Sequence, residues 1–544
     1  MRDCILSLIW VLTACVIPAV AQEPIAHWAF GKDARDSGPR GLHGTIRGDV
    51  RFDLAEQDSG TSARLDGRSG FIEIPTHSEL QLGTSDFTIS AMVRLDERGD
   101  DLPGDILSLY DHKQRRGFHL SVKTNSGTTF CQANSRQLQF GIDAGHDSLW
   151  QDCGRPGGER SILPFALVVH QGGLYAGTCQ PQKDDAGHVF KYGGEKTWID
   201  CGAPANCNSV SAMISFEGKL YAGVAKYRLG GSSLSESENP HLGGRIFRYD
   251  GEQKWTDCGS LPGSPAIGGF ANYKGRMYAS SLYAPAGFYR YEGGHNWTDC
   301  GVPNGKRVES LGVFNGFLYA TSYDSGNVYR YDGASWTDCG LVGQNTQCYS
   351  FAAHRGQLYV STWPSGRVFR MDGLNQWADT GRLGEELEVM GLVVHNGRLL
   401  GGTLPLAEVH RYDADGQWQK LARLDPTPDV KYRRAWTVAE YQGRTYWGTL
   451  PSGRVWSFAA GCSVSWDDEF PAGWHQVHAV KSGTQLQLWI DGRQVARSQA
   501  FVANDYDLST VEPLRIGLGA SDYFNGRLRD VKLYRRALKA DEIK

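Results

Sequence analysis

The chain of 544 residues lacks a surplus of either charge: 56 Lys and Arg stand against 60 Asp and Glu, for a net charge of −4. That balance speaks against a nucleic-acid partner, whose footprint is a strong basic excess. No His-Glu-x-x-His helix, Gly-x-Ser-x-Gly elbow or Gly-rich phosphate loop occurs. The signatures of zinc hydrolases, serine hydrolases and nucleotide-binding enzymes are therefore missing. Cytochrome and cofactor motifs are missing as well.

The segment Cys4 to Ala21 is apolar apart from Ser7, Thr13 and Pro18, and Arg2 precedes it. It ends in Ala19-Val20-Ala21 before Gln22, the small-x-small pattern of a signal-peptidase site. Residues 1–21 are expected to be a signal peptide, which places the mature chain outside the cell, in the periplasm or at the cell surface. Leu12-Thr13-Ala14-Cys15 also resembles a bacterial lipobox, which would put a lipid anchor on Cys15. An uncleaved anchor is the weaker reading, because about 18 residues broken by Pro18 is marginal for crossing a bilayer. All three export the body of the protein, and the cleaved form has no membrane span.

What the chain has in quantity is glycine and large aromatics: 68 Gly, 16 Trp and 24 Tyr. This composition suits many short strands joined by tight turns, an all-β protein. Ten cysteines follow Ala21. An exported chain with an even number invites disulfides, but Cys153, Cys201, Cys258, Cys300 and Cys339 share one repeat position. Equivalent positions on successive repeats usually lie too far apart for bridging. Several therefore read as small buried thiols, and the short-loop pairs Cys201–Cys207 and Cys339–Cys348 are the disulfide candidates.

Internal periodicity organises the middle of the chain. Aligning Leu174-Tyr175, Leu220-Tyr221, Met277-Tyr278, Leu318-Tyr319, Leu358-Tyr359, Leu399-Leu400 and Thr445-Tyr446 gives seven copies of a unit. The unit is mostly 40–46 residues long, with an insertion at 226–243 in the second copy. Each copy reads as four strands, with Asn315-Gly316 and Asp332-Gly333 as hairpin turns in the fourth. Four antiparallel strands per unit describe a propeller blade, so a seven-bladed β-propeller is expected over 146–461. Tyr-to-Trp spacings of six residues, as in Tyr249/Trp255 and Tyr291/Trp297, resemble kelch-type repeats. The seventh copy lacks its fourth strand, while an orphan Trp-x-Asp-Cys-Gly stands at Trp150 ahead of the array. That orphan is expected to complete the last blade and close the ring.

The flanks carry period-2 strands. In "DFTISAMVRL", Phe87, Ile89, Ala91, Val93 and Leu95 alternate against Thr88, Ser90 and Arg94, as a half-buried strand should. Together with "AHWAF", "DSGPRGLHGTI", "RLDGRSGFIEI", "GWHQVHAVKSGTQLQLWIDGRQVA" and "FNGRLRDVKLYRRALKADEI", the flanks resemble a laminin-G-like (concanavalin A-like) jelly roll. Its halves would be 22–145 and 462–544, with the propeller inserted between them and a short helical tail at "RRALKADEI". The resemblance implies glycan or protein binding, and in some members Ca²⁺, for which Asp36 matches the family's D-x-SG segment. Arg529, with Asp530 beside it, stands where an acidic residue is common, which weakens a calcium site.

Within the propeller, His170, His354 and His395 fall at one hairpin position on different blades and read as surface turns. The face formed by the strand-two-to-three and strand-four-to-one loops collects Arg307, Glu309, Tyr323, Trp363, Glu388, Arg433, Arg434 and Trp436, plus Tyr227 and Arg228 of the insertion. Aromatic rings stack on sugars and Arg holds carboxylate or sulfate in a fork. The sequence thus points to a non-catalytic recognition or adhesion protein for extracellular carbohydrate or surface protein. Two readings compete with it. One is a polysaccharide hydrolase or lyase using Glu309 and Glu388, and the other is a structural envelope protein.

Overall fold

A computed structural model describes residues 23–54 and 60–543. The signal-peptide and Cys15 expectations lie outside the described residues. The fold is all-β, with short 3₁₀ turns as the only helical elements among the described residues.

Two sheets form a sandwich, and each draws strands from both flanks of the repeat array. One sheet pairs Thr61–Asp66 with Asn525–Tyr534, Asn525–Tyr534 with Phe87–Leu95, and Phe87–Leu95 with His475–Ser482. The other runs through Phe71–Ile74, Leu514–Ile516, Gly104–Asp111, Arg116–Asn125, Asn134–Asp147 and Ala460–Ser465. Phe87, Ile89, Ala91, Val93 and Leu95 all enter one core with Phe118, Phe140, Val477 and Leu528. The segment expected as a helical tail is instead a single turn, in which Lys539 O accepts from the Glu542 and Ile543 amides at 3.0 and 3.2 Å.

The repeat array is a propeller-like ring. The strands Leu163–His170, Ser209–Phe216, Ile267–Tyr273, Val308–Phe314, Gln347–His354, Glu388–His395 and Arg434–Tyr441 pack each against the next, and the last packs against the first. The expected seven separate blades are not what the sheets show. Five four-stranded sheets stand alone, and the first two repeat copies are joined in one eight-stranded sheet. The join is the pairing of Cys179 with Ser209, reinforced by the Gln180 amide on Asn208 O at 2.8 Å.

The Trp-x-Asp-Cys-Gly string works as a fastener between neighbouring copies. The Trp of each string after the orphan reaches back to the preceding copy: Trp198 Nε1 donates to Cys153 O at 2.8 Å, and Trp255 and Trp297 donate to Cys201 O and Cys258 O at 2.9 Å. The Asp turns the chain by accepting from the Gly amide, as Asp257 does from Gly259 at 2.9 Å. Gly259 has φ +94°, and a Cβ there would sit 2.5 Å from His295 O, so only glycine fits. The thiol between them packs across the junction. Cys201 lies beside Tyr249 of the next copy and its Sγ bonds Ile199 O at 3.7 Å, whereas Cys207 Sγ bonds Ser209 O at 3.8 Å. Cys339 and Cys348 likewise bond Thr337 O and Gly326 O. All ten described cysteines are free, so neither candidate disulfide forms.

The orphan string does close the ring. Gln151 and Asp152 pair with Ser457 and Trp456, Cys153 N donates to Val455 O at 2.8 Å, and Trp150 stacks on Phe458 at 4.8 Å. Trp150→Ala should cost about 2 kcal/mol by lost stacking and burial, measured by urea unfolding. A loss below about 0.5 kcal/mol, the scatter of ordinary surface changes, would mean that the ring closes without this clasp.

The sandwich also enters the ring. The hairpin joining Arg116–Asn125 to Asn134–Asp147 carries a loop, 126–133, that runs into the ring's centre. Gly127 O accepts from Phe351 N at 2.9 Å and Ser126 Oγ from Val313 N at 3.2 Å. The amides of Thr129 and Phe130 donate to Ser350 Oγ and Ser310 Oγ at 2.9 and 3.2 Å. Gln132 Oε1 accepts from Asn272 N at 2.9 Å, and Ala133 O from Val169 N at 2.9 Å. Thr129 and Phe130 are held at φ +41° and +68°, a conformation that a β-branched or aromatic residue keeps only when its surroundings over-determine it.

This docking buries the three hairpin histidines that read as surface turns. His170 pairs with Ser215 Oγ at 2.8 Å, His354 Nδ1 donates to Ala520 O of the sandwich at 2.8 Å, and His395 pairs with Glu440 at 2.8 Å. They lie at the end of the ring that the sandwich covers.

Candidate functional site

The innermost strands of the ring share one irregularity. Each slips register against its partner strand at the same place, between Pro164 and Ala166, Val308 and Leu311, Cys348 and Phe351, Val389 and Leu392, and Ala435 and Thr437. A bulge re-aims a side chain, and the residues within these slips include Phe165, Glu309, Tyr349, Met390 and Trp436. All but Glu309 belong to one apolar cluster with Phe130 of the plug. Trp436 lies 5.0 Å from Phe165 and 5.9 Å from Phe130, ring to ring.

Glu309 is the acidic member of this set. It is 0% exposed, and neither carboxyl oxygen has a hydrogen-bond partner among the described residues. Burial pushes its carboxyl well above the ordinary range; Arg307 opposes this, and Glu388 adds to it. Burial also lifts Glu388 to about 7 against the pull of Arg434 and Tyr349. Both carboxyls are thus held toward the neutral form, as expected for acids in a low-dielectric setting.

The insertion in the second copy closes over this group. Its 3₁₀ turn Leu229–Ser232 receives the Arg434 guanidinium, which donates to Ser232 Oγ and to Gly231 O. Tyr227 OH bonds Ser232 Oγ at 2.8 Å, and the Tyr227 ring stands edge-on to Phe165 at 4.9 Å. The Arg434 guanidinium also lies over Trp436, 5.3 Å from the ring centre.

The structure therefore brings together Glu309, Glu388, Tyr323, Arg434 and Trp436, and it adds Tyr349. The burial-raised Tyr349 hydroxyl feels both carboxylates. Tyr349 was legible only by aligning the strand-one positions, where it matches Glu309. Arg307 stands at the rim, paired with Asp324 and stacked 4.6 Å over Tyr323. Trp363 is half-buried against the apolar cluster. Arg433 turns away from the group: its Nε donates to Thr427 O at 2.5 Å and its amide to Pro405 O at 2.9 Å.

A cleft of about 720 Å³ lies on the outer face of the sandwich, away from the ring group. Four strands cross it with directly opposed arginines: Arg51 faces Arg64, Arg64 faces Arg527, and Arg527 faces Arg94. Acidic residues flank this row. Asp49 takes Arg51 in a fork at 3.0 and 3.0 Å, and Asp53 pairs with Arg527.

Asp36 serves the sandwich backbone. Its carboxylate accepts from His27 N and Gly38 N at 2.7 Å and from Leu42 N at 2.8 Å. Asp530 pairs with His27 at 3.0 Å, and Arg529 stacks 4.4 Å over Trp474. A hard cation takes six to eight oxygens, so this donor set does not suit Ca²⁺. Among the described residues no cluster of three or more His, Cys, Asp or Glu side chains could hold a metal ion. No described helix is long and apolar enough to cross a membrane.

Residues 427–544 match the concanavalin A-like lectin/glucanases superfamily (Laminin_G_3). The match begins before the last sheet of the ring and covers the C-terminal strands of the sandwich. No curated protein matches the chain. Among solved structures, the chain is similar to a catalytically inactive virginiamycin B lyase from Staphylococcus aureus with quinupristin, at 10% identity and TM-score 0.45, covering 58% of this chain and 99% of that one. It is similar to the WD40 propeller domain of Doa1 at 11% identity and TM-score 0.41, over 57% and 97% of the two chains. It is also similar to the extracellular domain of a one-component system from B. thetaiotaomicron at 12% identity and TM-score 0.41, over 62% and 45%.

Proposed function

We propose that this chain is an exported recognition protein that binds extracellular carbohydrate or surface protein without turning it over. The observation that carries this reading is the closure of the ring's carboxylate pair. Glu309 is fully buried, and Arg434 is tied to Ser232 of the covering insertion. A polysaccharide chain has no path to Glu309 in this arrangement, while the sandwich presents an open polar cleft. The two joined copies in the eight-stranded sheet are read as two blades of one kelch-like ring, seven in all, serving as a rigid mount for the sandwich.

The test combines turnover with binding. Wild type and the Glu309→Gln/Glu388→Gln double variant should retain the same ligands on a glycan and surface-protein array, and neither should release sugar ends from polysaccharides. Turnover by wild type that the double variant loses would overturn the reading in favour of a hydrolase or lyase. Retention of no ligand at all would point to a structural envelope role. A pH series checks the buried state itself. An acid raised from 4.5 to about 7 binds its proton more tightly when folded, so its contribution is full below pH 4.5 and fades as pH rises toward 7. Glu388→Gln should flatten that decline in unfolding free energy.

A further inference from the structure

The four opposed arginines on the sandwich pose a problem for stability alone. Like charges directly across a strand pair are destabilising, yet Arg51, Arg64, Arg527 and Arg94 repeat that arrangement over three consecutive pairings. They share the outward face, because Ala63 and Leu65 on either side of Arg64 point into the core. The flanking carboxylates relieve only part of the row. Arg51 and Arg527 have Asp49 and Asp53, and Arg94 has Glu97 at 3.9 Å, whereas Arg64 is exposed and has no acidic side chain within ion-pairing distance among the described residues. Arg68, exposed at the same cleft, is likewise without one.

We infer that this cleft binds a polyuronate, a polysaccharide with a carboxylate on each sugar, along the row Arg51–Arg64–Arg527–Arg94. Two features select that class. Opposed residues on neighbouring strands lie about 5 Å apart, close to the length of one pyranose unit, so successive sugars meet successive arginines. Guanidinium also binds carboxylate in a planar fork and keeps further N–H donors free when one edge is occupied. Arg51, Arg527 and Arg94 can therefore hold their own acidic partners and still receive a ligand carboxylate. The cleft lining carries six arginines against five acids, so attraction is local and set by position, not by a long-range field. The inference rests on the reading of the chain as a recognition protein and names the ligand class and surface.

The experiment uses immobilised polygalacturonate, its fully methyl-esterified form, neutral amylose and poly-glutamate. Wild type should be retained by polygalacturonate and pass over the ester and amylose. Arg64→Gln and Arg68→Gln should each weaken retention about tenfold, the size of one lost charged hydrogen bond. Arg64→Gln should leave the melting temperature unchanged or raise it, because it removes two like-charge neighbours. Equal retention on the methyl ester, or undiminished binding by both variants, would overturn the inference. Tighter retention by poly-glutamate would assign the cleft to an acidic protein and overturn it too. Binding to amylose alone would overturn the polyuronate but leave the recognition reading standing. Retention by none of these, together with an empty glycan and surface-protein array, would remove both.

Discussion

Phe130→Ala should lower the unfolding free energy by about 3–5 kcal/mol, the usual cost of emptying a large buried aromatic site. The ring of Phe130 is 3% exposed and stands 5.8 Å from Phe165 and 5.9 Å from Trp436, at the centre of the propeller-like array. The surroundings have little freedom to collapse into the gap. Its amide is fixed on Ser310 Oγ, and Thr129 beside it bonds both Ser350 Oγ and Trp436 O. These partners come from different repeat copies, so removing the side chain loosens the ring and its seat on the sandwich together. Urea unfolding followed by tryptophan fluorescence should show the loss, with an earlier transition for the ring than for the sandwich. A loss below about 1 kcal/mol, with a single unchanged transition, would mean that the plug is not what couples the two parts.

Glu440→Leu should be comparably damaging, at about 3–5 kcal/mol. Glu440 is 1% exposed at the seat of the sandwich on the ring, where it receives Lys123 Nζ at 2.5 Å, Asn125 Nδ2 at 2.8 Å, Gln139 Nε2 at 3.2 Å and His395 at 2.8 Å. Losing it strands the Lys123 ammonium, itself 6% exposed, with Val394 O as its remaining acceptor. Lys123→Met combined with Glu440→Leu should recover much of the loss, because the uncompensated buried charge is what does the damage. The same pair gives a pH signature. Burial alone would raise the Glu440 carboxyl, but Lys123 and His395 hold it at about 2, below its ordinary 4.5. A depressed carboxylate contributes fully above pH 4.5 and loses its contribution as pH falls through about 2. Wild type should therefore lose on the order of 3 kcal/mol of stability over that window, and the double variant should lose less. An identical acid limb in both proteins would show that Glu440 does not set it.

Much of the architecture is written locally in the residues. The period-2 alternation of Phe87 to Leu95 buries one face whatever lies beyond it, which is why the strand and its core side were legible. The Asn315-Gly316 turn encodes its own positive φ, +48° and +87°. The orphan string at Trp150 was readable as the missing strand because repeat copies share a pattern and the last copy lacks its end. A short loop does not bring the disulfide candidates together: Cys201 faces Tyr249 of the next copy, not Cys207.

The sequence by itself thus determined the all-β class, the repeat unit, the clasp and the pairing of both flanks in one sandwich, because each is recorded in neighbouring residues or in recurrence along the chain. The tertiary structure alone decided four other things: the joined first two copies, the plug at Phe130, the burial of His354 and His395, and the arginine row. Each arises from residues tens to hundreds of positions apart. Arg64 and Arg527 meet only because two distant strands share a register, and Arg434 meets Ser232 only because the insertion of the second copy reaches the last copy. Local patterning tells a side chain whether to face inward. What it faces there is set by the register and docking of whole sheets.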